Sequence, residues 1–245
     1  MPGKLDGKIA LVTGGSTGMA FATAEEFIAE GAVVYITGRR EDVLDEAVER
    51  LGPRSRGIVA DGGNLDDIGR LFDTIGAEEG RLDVLFASAA AGTLVEPLAE
   101  VTAESYDRIF GINVRGTVFT AQKAAELMTD GGSIILNGSA AAVKAMPGSS
   151  LYSASKNALA AFARVWSAEL AQRRIRVNVV HPGSIDTASL ETITPEHRDH
   201  LVSLTTIGRI GQPAEIASSV LFLASADSGF VSGTELFVSG GMGQS

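Results

Sequence analysis

The sequence predicts an α/β fold: a doubly wound sheet of about seven parallel strands with helices on both faces. Three observations predict it. Short β-rich apolar runs alternate with longer helical patterns along nearly the whole chain. The runs are apolar on both faces, as strands buried between two helical layers must be. Strands separated by helices join as parallel neighbours through right-handed crossovers.

The first run, 9–13, leads through Gly14-Gly15-Ser16-Thr17-Gly18 into a helix over 21–30. Runs at 33–37 and 57–60 are followed by helical patterns at 42–51 and 65–78, the second opened by Asn64 as N-cap. The fourth run, 84–87, precedes one long helix over 104–128, and the fifth, 133–137, precedes another over 151–172. After the sixth run, 176–180, comes a polar stretch, 187–211, that contains Pro195, His197 and His200. A connection that long without a strand of its own reads as a lid or binding loop. A helix at 213–224 and a strand at 235–238 complete the pattern. No linker, repeat or low-complexity tract interrupts it, so residues 1–245 are expected to form a single domain.

Composition removes several function classes. Glycine, 29 of 245 residues, exceeds the usual share of about 7% without a collagen-like period, and so marks tight turns and close backbone approach. With a net charge of -10 and scattered Lys and Arg, no nucleic-acid partner is expected. The absence of cysteine excludes disulfides, thiolate catalysis and zinc–thiolate sites. Three histidines are too few for most metal sites, and no metal is expected. No apolar run reaches the about 18 residues of a membrane span, and no signal-like segment follows Met1. A soluble cytoplasmic protein with no membrane partner is expected.

In a doubly wound sheet the first strand-to-helix turn receives a dinucleotide pyrophosphate, against backbone N–H groups and the positive helix end. Gly14 and Gly18 hold the two critical places there and Ala20 the third, where a small residue suffices. A tight turn without a ligand has the same look; its position after the first strand is what points to a cofactor. The second strand ends Thr37-Gly38-Arg39-Arg40. No carboxylate stands there to accept a ribose hydroxyl, and Arg39 can offer a planar fork to a 2′-phosphate. NADP is therefore favoured, with NAD the alternative. Both arginines can equally pair with Glu41 and Asp42 at the start of the next helix. Asp61, at the end of the third strand, can accept the adenine amino group or cap a helix.

Tyr152 and Lys156 stand four apart near the start of a helical pattern, which places phenol and ammonium on one face. A nearby lysine favours the phenolate, so such a tyrosine can exchange a proton nearer neutral pH. A surface pair has the same spacing. Ser139 follows the fifth strand at its carboxyl end, where its hydroxyl can reach a substrate oxygen held by Tyr152.

With these motifs in order, the whole chain resembles the short-chain dehydrogenase/reductase family, which has a Rossmann-type fold. The resemblance rests on Thr13-Gly14-x-x-x-Gly18, Asp61, Ile112-Asn113-Val114-Arg115-Gly116, Ser139, Tyr152-x-x-x-Lys156 thirteen residues on, and Pro182-Gly183-x-x-x-Thr187. It implies that Tyr152 is the acid/base, that Ser139 orients the substrate oxygen, and that Lys156 binds the nicotinamide ribose and tunes Tyr152. Asn113 is implied to hold a proton-relay water, or else to bridge a helix irregularity. The dinucleotide is expected along Gly14, Ser16, Thr17, Gly18, Met19, Arg39, Arg40, Asp61, Gly62, Ser88 and Ala89. It continues past Tyr152 and Lys156 to Pro182, Gly183, Ile185 and Thr187. A homotetramer joined through the Asn113 and Tyr152 helices and the C-terminal segment is also implied.

Two positions depart from the family pattern. Ala87-Ser88-Ala89-Ala90 stands where Asn-Asn-Ala-Gly is usual, which removes amides that brace the sheet, and Ser239 replaces an Asp before the final double glycine. The expected function is hydride transfer between NADP(H) and a neutral alcohol or carbonyl compound. Alternatives are the same chemistry with NAD(H), or a dinucleotide-binding regulatory protein without turnover. An extended epimerase would need a larger C-terminal domain, and a divergent enoyl reductase a wider Tyr–Lys spacing. The substrate is expected against Ala140, Ala141, Val143, Met146, Gly148, Thr93, Leu94 and the 187–206 lid, which are small or apolar.

Overall fold

The computed structural model describes residues 2–92, 95–190 and 193–242. Seven strands alternate with helices: β1 (Ile9–Val12), α1 (Gly18–Ala29), β2 (Val33–Gly38), α2 (Glu41–Leu51), β3 (Ser55–Val59), α3 (Leu65–Glu79) and β4 (Leu82–Ala87). The second half adds α4 (Ala103–Phe110), α5 (Thr117–Leu127), β5 (Met128–Asn137), α6 (Ser150–Glu169), β6 (Arg176–Pro182), α7 (Pro195–Ser203), α8 (Pro213–Ala224) and β7 (Glu235–Val238). The strands form one parallel sheet in the order β3-β2-β1-β4-β5-β6-β7. Strand order reverses between β1 and β4, which opens a crevice at their carboxyl ends.

Successive side chains of a strand point to opposite faces, and this sorts the core into two layers. Ala10 and Val12 join Val34, Ile36 and Phe86 under α1, α2 and α8, where Phe21, Phe27, Leu44, Ile216 and Val220 are buried. Ile9 and Leu11 join Leu85, Ile134 and Val179 under α3, α5 and α6, with Ile68, Phe72, Ala124 and Leu159. At the opposite end of the sheet from the crevice, Asp83 ties β4 to β1: it accepts the Ile9 N–H at 2.9 Å and pairs with Lys8 and Arg81.

Two regions carry detail that the sequence did not predict. The helix expected over 104–128 is divided by a π-helical turn, Gly111–Gly116, and ends at Leu127, with Met128 already in β5. Gly116 has no side chain because one would collide with the Gly62 carbonyl oxygen. Within the 187–211 stretch the described residues include a short helix, α7. Thr194 caps α7 through the His197 N–H, with Pro195 at its first turn, and Arg198 pairs with Asp186 at 3.2 Å. Asn64 caps α3 as expected, accepting from the Asp66 and Asp67 N–H groups. Among the described residues no helix is long and apolar enough to cross a membrane.

Candidate active site

A cleft of about 520 Å³ opens at the carboxyl ends of β1 to β4, lined by Gly14, Ser16, Thr17, Gly38, Arg39, Arg40, Asp61, Gly62, Ser88 and Ala89. Gly14 and Gly18 take positive φ, 68° and 61°, which L side chains rarely adopt. The N-terminus of α1 carries no capping side-chain bond from Thr17 and no acidic residue in its first turn. Its free N–H groups and positive dipole end are therefore available to a bound anion. Neither Arg39 nor Arg40 has an ion pair or side-chain hydrogen bond among the described residues, so neither is committed to Glu41 or Asp42. This donor set, cationic at the β2 end and backbone-rich at the helix end, fits a phosphorylated dinucleotide.

The walls of the cleft are pinned from inside. Thr13 Oγ1 accepts the N–H groups of both Ser88 and Ala89, at 2.9 and 3.0 Å, and Thr37 Oγ1 accepts Gly14 N–H at 3.1 Å. The departure at Ala87 to Ala90 is also braced: Asn137 Nδ2 reaches from β5 to donate to Ser88 Oγ at 3.0 Å. Ser239 acts locally, donating to the Met242 carbonyl. Asp61 lines the cleft with Oδ1 accepting Gly63 N–H, leaving helix capping to Asn64. Met19, partly buried, packs against the core under α1.

Ser139, Tyr152 and Lys156 come together where β5 ends and α6 begins. Ser139 Oγ accepts Ala141 N–H, and Lys156 Nζ lies 5.7 Å from the Tyr152 ring centre. Lys156 is buried and donates to the Asn137 carbonyl at 2.7 Å. Burial alone brings its pKa from 10.5 down to about 8. The Tyr152 phenol is raised, because burial disfavours the phenolate more than the neighbouring Ser139 hydroxyl favours it. The expected downward pull from Lys156 is not seen, and burial decides the direction.

Asn113 sits in the π-helical turn, buried, with Oδ1 accepting Ala91 N–H at 2.7 Å and Nδ2 donating to Ser155 Oγ and the Ala91 carbonyl. Its amide thus bridges the helix irregularity to α6 and to the chain after β4. Of the residues expected to meet the nicotinamide, Pro182 ends β6, and Gly183 N–H meets the Val238 carbonyl. Ile185 is buried beside Gly211, and Thr187 lies over the first turn, where a Gly18 side chain would touch it. The first turn and the segment after β6 therefore adjoin. A second cavity, of about 470 Å³, is lined by Leu98, Ala141, Val143, Met146, Gly148 and Ser153, with Glu96 and Lys144 at its wall. Ala140 is buried instead of lining it; Thr93 and Leu94 lie outside the described residues. Among the described residues no His, Cys, Asp and Glu cluster is arranged to hold a metal.

The sequence reading missed Arg108 of α4, which lines the dinucleotide cleft, and His181 of β6, whose ring faces Ser139. No motif marks either one.

Residues 14–243 match a family model described as Enoyl-(Acyl carrier protein) reductase. An oxidoreductase of Sarocladium schorii is 43% identical, with 98% of each chain covered. A cyclopentanol dehydrogenase of Comamonas sp. (strain NCIMB 9872) is 37% identical, again with 98% of each chain covered. The solved structure of an angucycline C-6 ketoreductase with bound NADP superposes with a TM-score of 0.91 at 35% identity, covering 99% of this chain and 98% of that one. The fold, the ordered motifs and these relatives together establish that the chain is an oxidoreductase belonging to the short-chain dehydrogenase/reductase family.

Proposed function

We propose that the protein transfers a hydride between NADP(H) and a neutral alcohol or ketone, with Tyr152 exchanging the proton. The observation that carries this reading is the meeting of Ser139, Tyr152 and Lys156 beside the dinucleotide cleft. In this reading Ser139 orients the substrate oxygen and the Tyr152 hydroxyl gives it a proton or takes one from it. Lys156 holds its ammonium behind the phenol and binds the nicotinamide ribose. Asn113 fixes the π-helical turn beside them. NADP(H), when bound, supplies or accepts the hydride.

Arg39, uncommitted and with no acid at Gly38, supports NADP over NAD, as does the relative solved with NADP. Gly14, Ser16, Thr17 and Gly18 would take the pyrophosphate, and Asp61, Gly62, Ser88 and Ala89 the adenosine side. Pro182, Gly183, Ile185 and Thr187 would meet the nicotinamide. Residues 187–211, with α7, would serve as the lid of a single catalytic domain. The cavity beside Ala141, Val143 and Met146 is largely apolar, and relatives are named cyclopentanol dehydrogenase and angucycline C-6 ketoreductase, which supports a neutral alcohol or ketone substrate. A homotetramer belongs to the same reading, supported by exposed Phe119 on α5, Val165 on α6 and Phe230.

The test is Tyr152→Phe assayed by nicotinamide absorbance against a panel of cyclic and open-chain ketones. Turnover falls at least about 100-fold while NADPH still quenches Trp166 fluorescence with unchanged affinity. Retained turnover would remove Tyr152 from the proton-transfer role. A wild-type chain that binds NADPH but reduces nothing in the panel would favour the regulatory reading.

A further inference from the structure

His181 has no exposed surface, and none of the roles above uses it. Its ring stacks on Phe237 of β7 at 4.6 Å, and Gly138 lies so close that a side chain there would stand 2.5 Å from Nδ1. Nδ1 is 3.1 Å from the Ser139 nitrogen and 3.0 Å from the Ser139 carbonyl oxygen. On the other side, Nε2 is 3.2 Å from Glu235 Oε2. That carboxylate is within ion-pair range but off the line of an Nε2–H bond, and Nε2 has no aligned partner. The second Glu235 oxygen accepts from Arg164 at 2.7 Å, on α6, the helix that also carries Tyr152 and Lys156.

The Ser139 N–H and carbonyl fit either tautomer at Nδ1, and the Glu235 carboxylate beside Nε2 decides between them by attracting the proton. The neutral ring is then protonated at Nε2 and bare at Nδ1, which can accept the Ser139 N–H. A second proton, on Nδ1, reverses this bond: Nδ1 must donate to the Ser139 carbonyl, and the Ser139 N–H is left without its acceptor.

We propose that His181 is a positioning residue for proton transfer, its Nδ1 holding the backbone from which the Ser139 hydroxyl reaches Tyr152, and that Glu235 sets the tautomer this requires. The proposal rests on the role given to Ser139 above. The charged and titratable groups around the ring are Glu235 from β7, with Arg164 beyond it, and Lys156 from α6. Burial lowers the His181 pKa most, Ser139 and Glu235 raise it, and Lys156 lowers it again. Protonation as the pH falls releases Ser139, so His181 gives kcat an acid limb.

The test uses the full chain with NADPH and a ketone it turns over. His181→Phe keeps the ring and the stack on Phe237 but has no nitrogen. Its kcat falls about 100-fold, as a misplacement near 1 Å would cause, while its NADPH dissociation constant, read by fluorescence, stays within about twofold. His181→Asn restores an acceptor at the Nδ1 position and recovers most of the loss. Glu235→Gln moves the acid limb of kcat to lower pH, because the carboxylate that favoured the charged ring is gone. Nitrogen-15 spectra of the three histidines report the tautomer directly, without turnover and whether or not His181→Phe folds. An Nδ1–H tautomer at neutral pH, a His181→Phe enzyme within about twofold of wild type, or an unmoved acid limb in Glu235→Gln overturns the proposal. If Tyr152→Phe loses turnover and His181→Phe does not, the positioning role fails alone; if Tyr152→Phe also keeps it, the reading of the site has failed.

Discussion

Replacing Lys156 by methionine should abolish turnover and stabilise the cofactor-free protein. Burial takes the ammonium from 10.5 down to about 8, so holding it charged at neutral pH costs about 3 kcal/mol at about 1.4 kcal/mol per pKa unit. Methionine fills much the same volume without the charge. It also leaves the Asn137 carbonyl without the donor that reaches it at 2.7 Å, a loss of about 1–2 kcal/mol. The net gain is about 1–2 kcal/mol, which for a chain of this length raises Tm by about 2–8 °C. The sign with pH follows from which state holds the proton more tightly. The unfolded chain does, so the wild-type penalty is complete below the native pKa of about 8 and vanishes above 10.5. Scanning calorimetry near neutral pH and again at about pH 10 reads both effects: K156M melts above wild type at the first and the gap narrows at the second. A K156M protein that melts below wild type near neutrality, or a gap that does not change with pH, refutes the reasoning.

Arg39→Ala should weaken NADPH binding about 10- to 100-fold, the worth of one charge-assisted contact, and leave NADH unchanged; equal losses in titration calorimetry would show that Arg39 does not meet the 2′-phosphate. Asp83→Asn should lower stability by about 1–3 kcal/mol in urea melts near neutral pH. Burial opposes the Asp83 charge, but the Ile9 N–H, Lys8 and Arg81 outweigh it and hold the carboxyl below its ordinary value of 3.8. Its contribution is therefore present at neutrality and lost as the pH falls through the acid range below 3.8, so wild type and D83N converge there. A constant difference across that range would remove Asp83 from the acid response.

The strands were legible because runs such as Ile9 to Val12 and Val84 to Ala87 are apolar toward both helical layers, a pattern only a fully covered strand needs. Helix α7 was not, because its surface is polar nearly all round and Leu201 is its one buried residue. The signal was present in Thr194-Pro195-Glu196, a cap followed by a first-turn proline. The π-helical turn was hidden for another reason: one wide turn shifts the periodicity too little to see, and only Gly111 and Gly116 mark its ends. In the site, spacing along one helix revealed Tyr152 and Lys156. His181 was missed because a lone histidine in an apolar strand looks like ordinary core, and its partners Ser139 and Glu235 lie 42 and 54 positions away.

The two threonine hydroxyls beneath the cleft separate what is built in advance from what is left adjustable. Thr13 and Thr37 fasten the strand ends and the first turn to one another from within the sheet, so a dinucleotide enters a mould already set and little ordering is charged against its affinity. The α7 helix is held differently: its Arg198 reaches back to Asp186 through a partly exposed pair, a contact that contributes about 1 kcal/mol or less. On the proposed reading, new substrates would be accommodated by altering residues 188–211 and the cavity wall at Val143 and Met146, with the cofactor half left as an unchanging chassis.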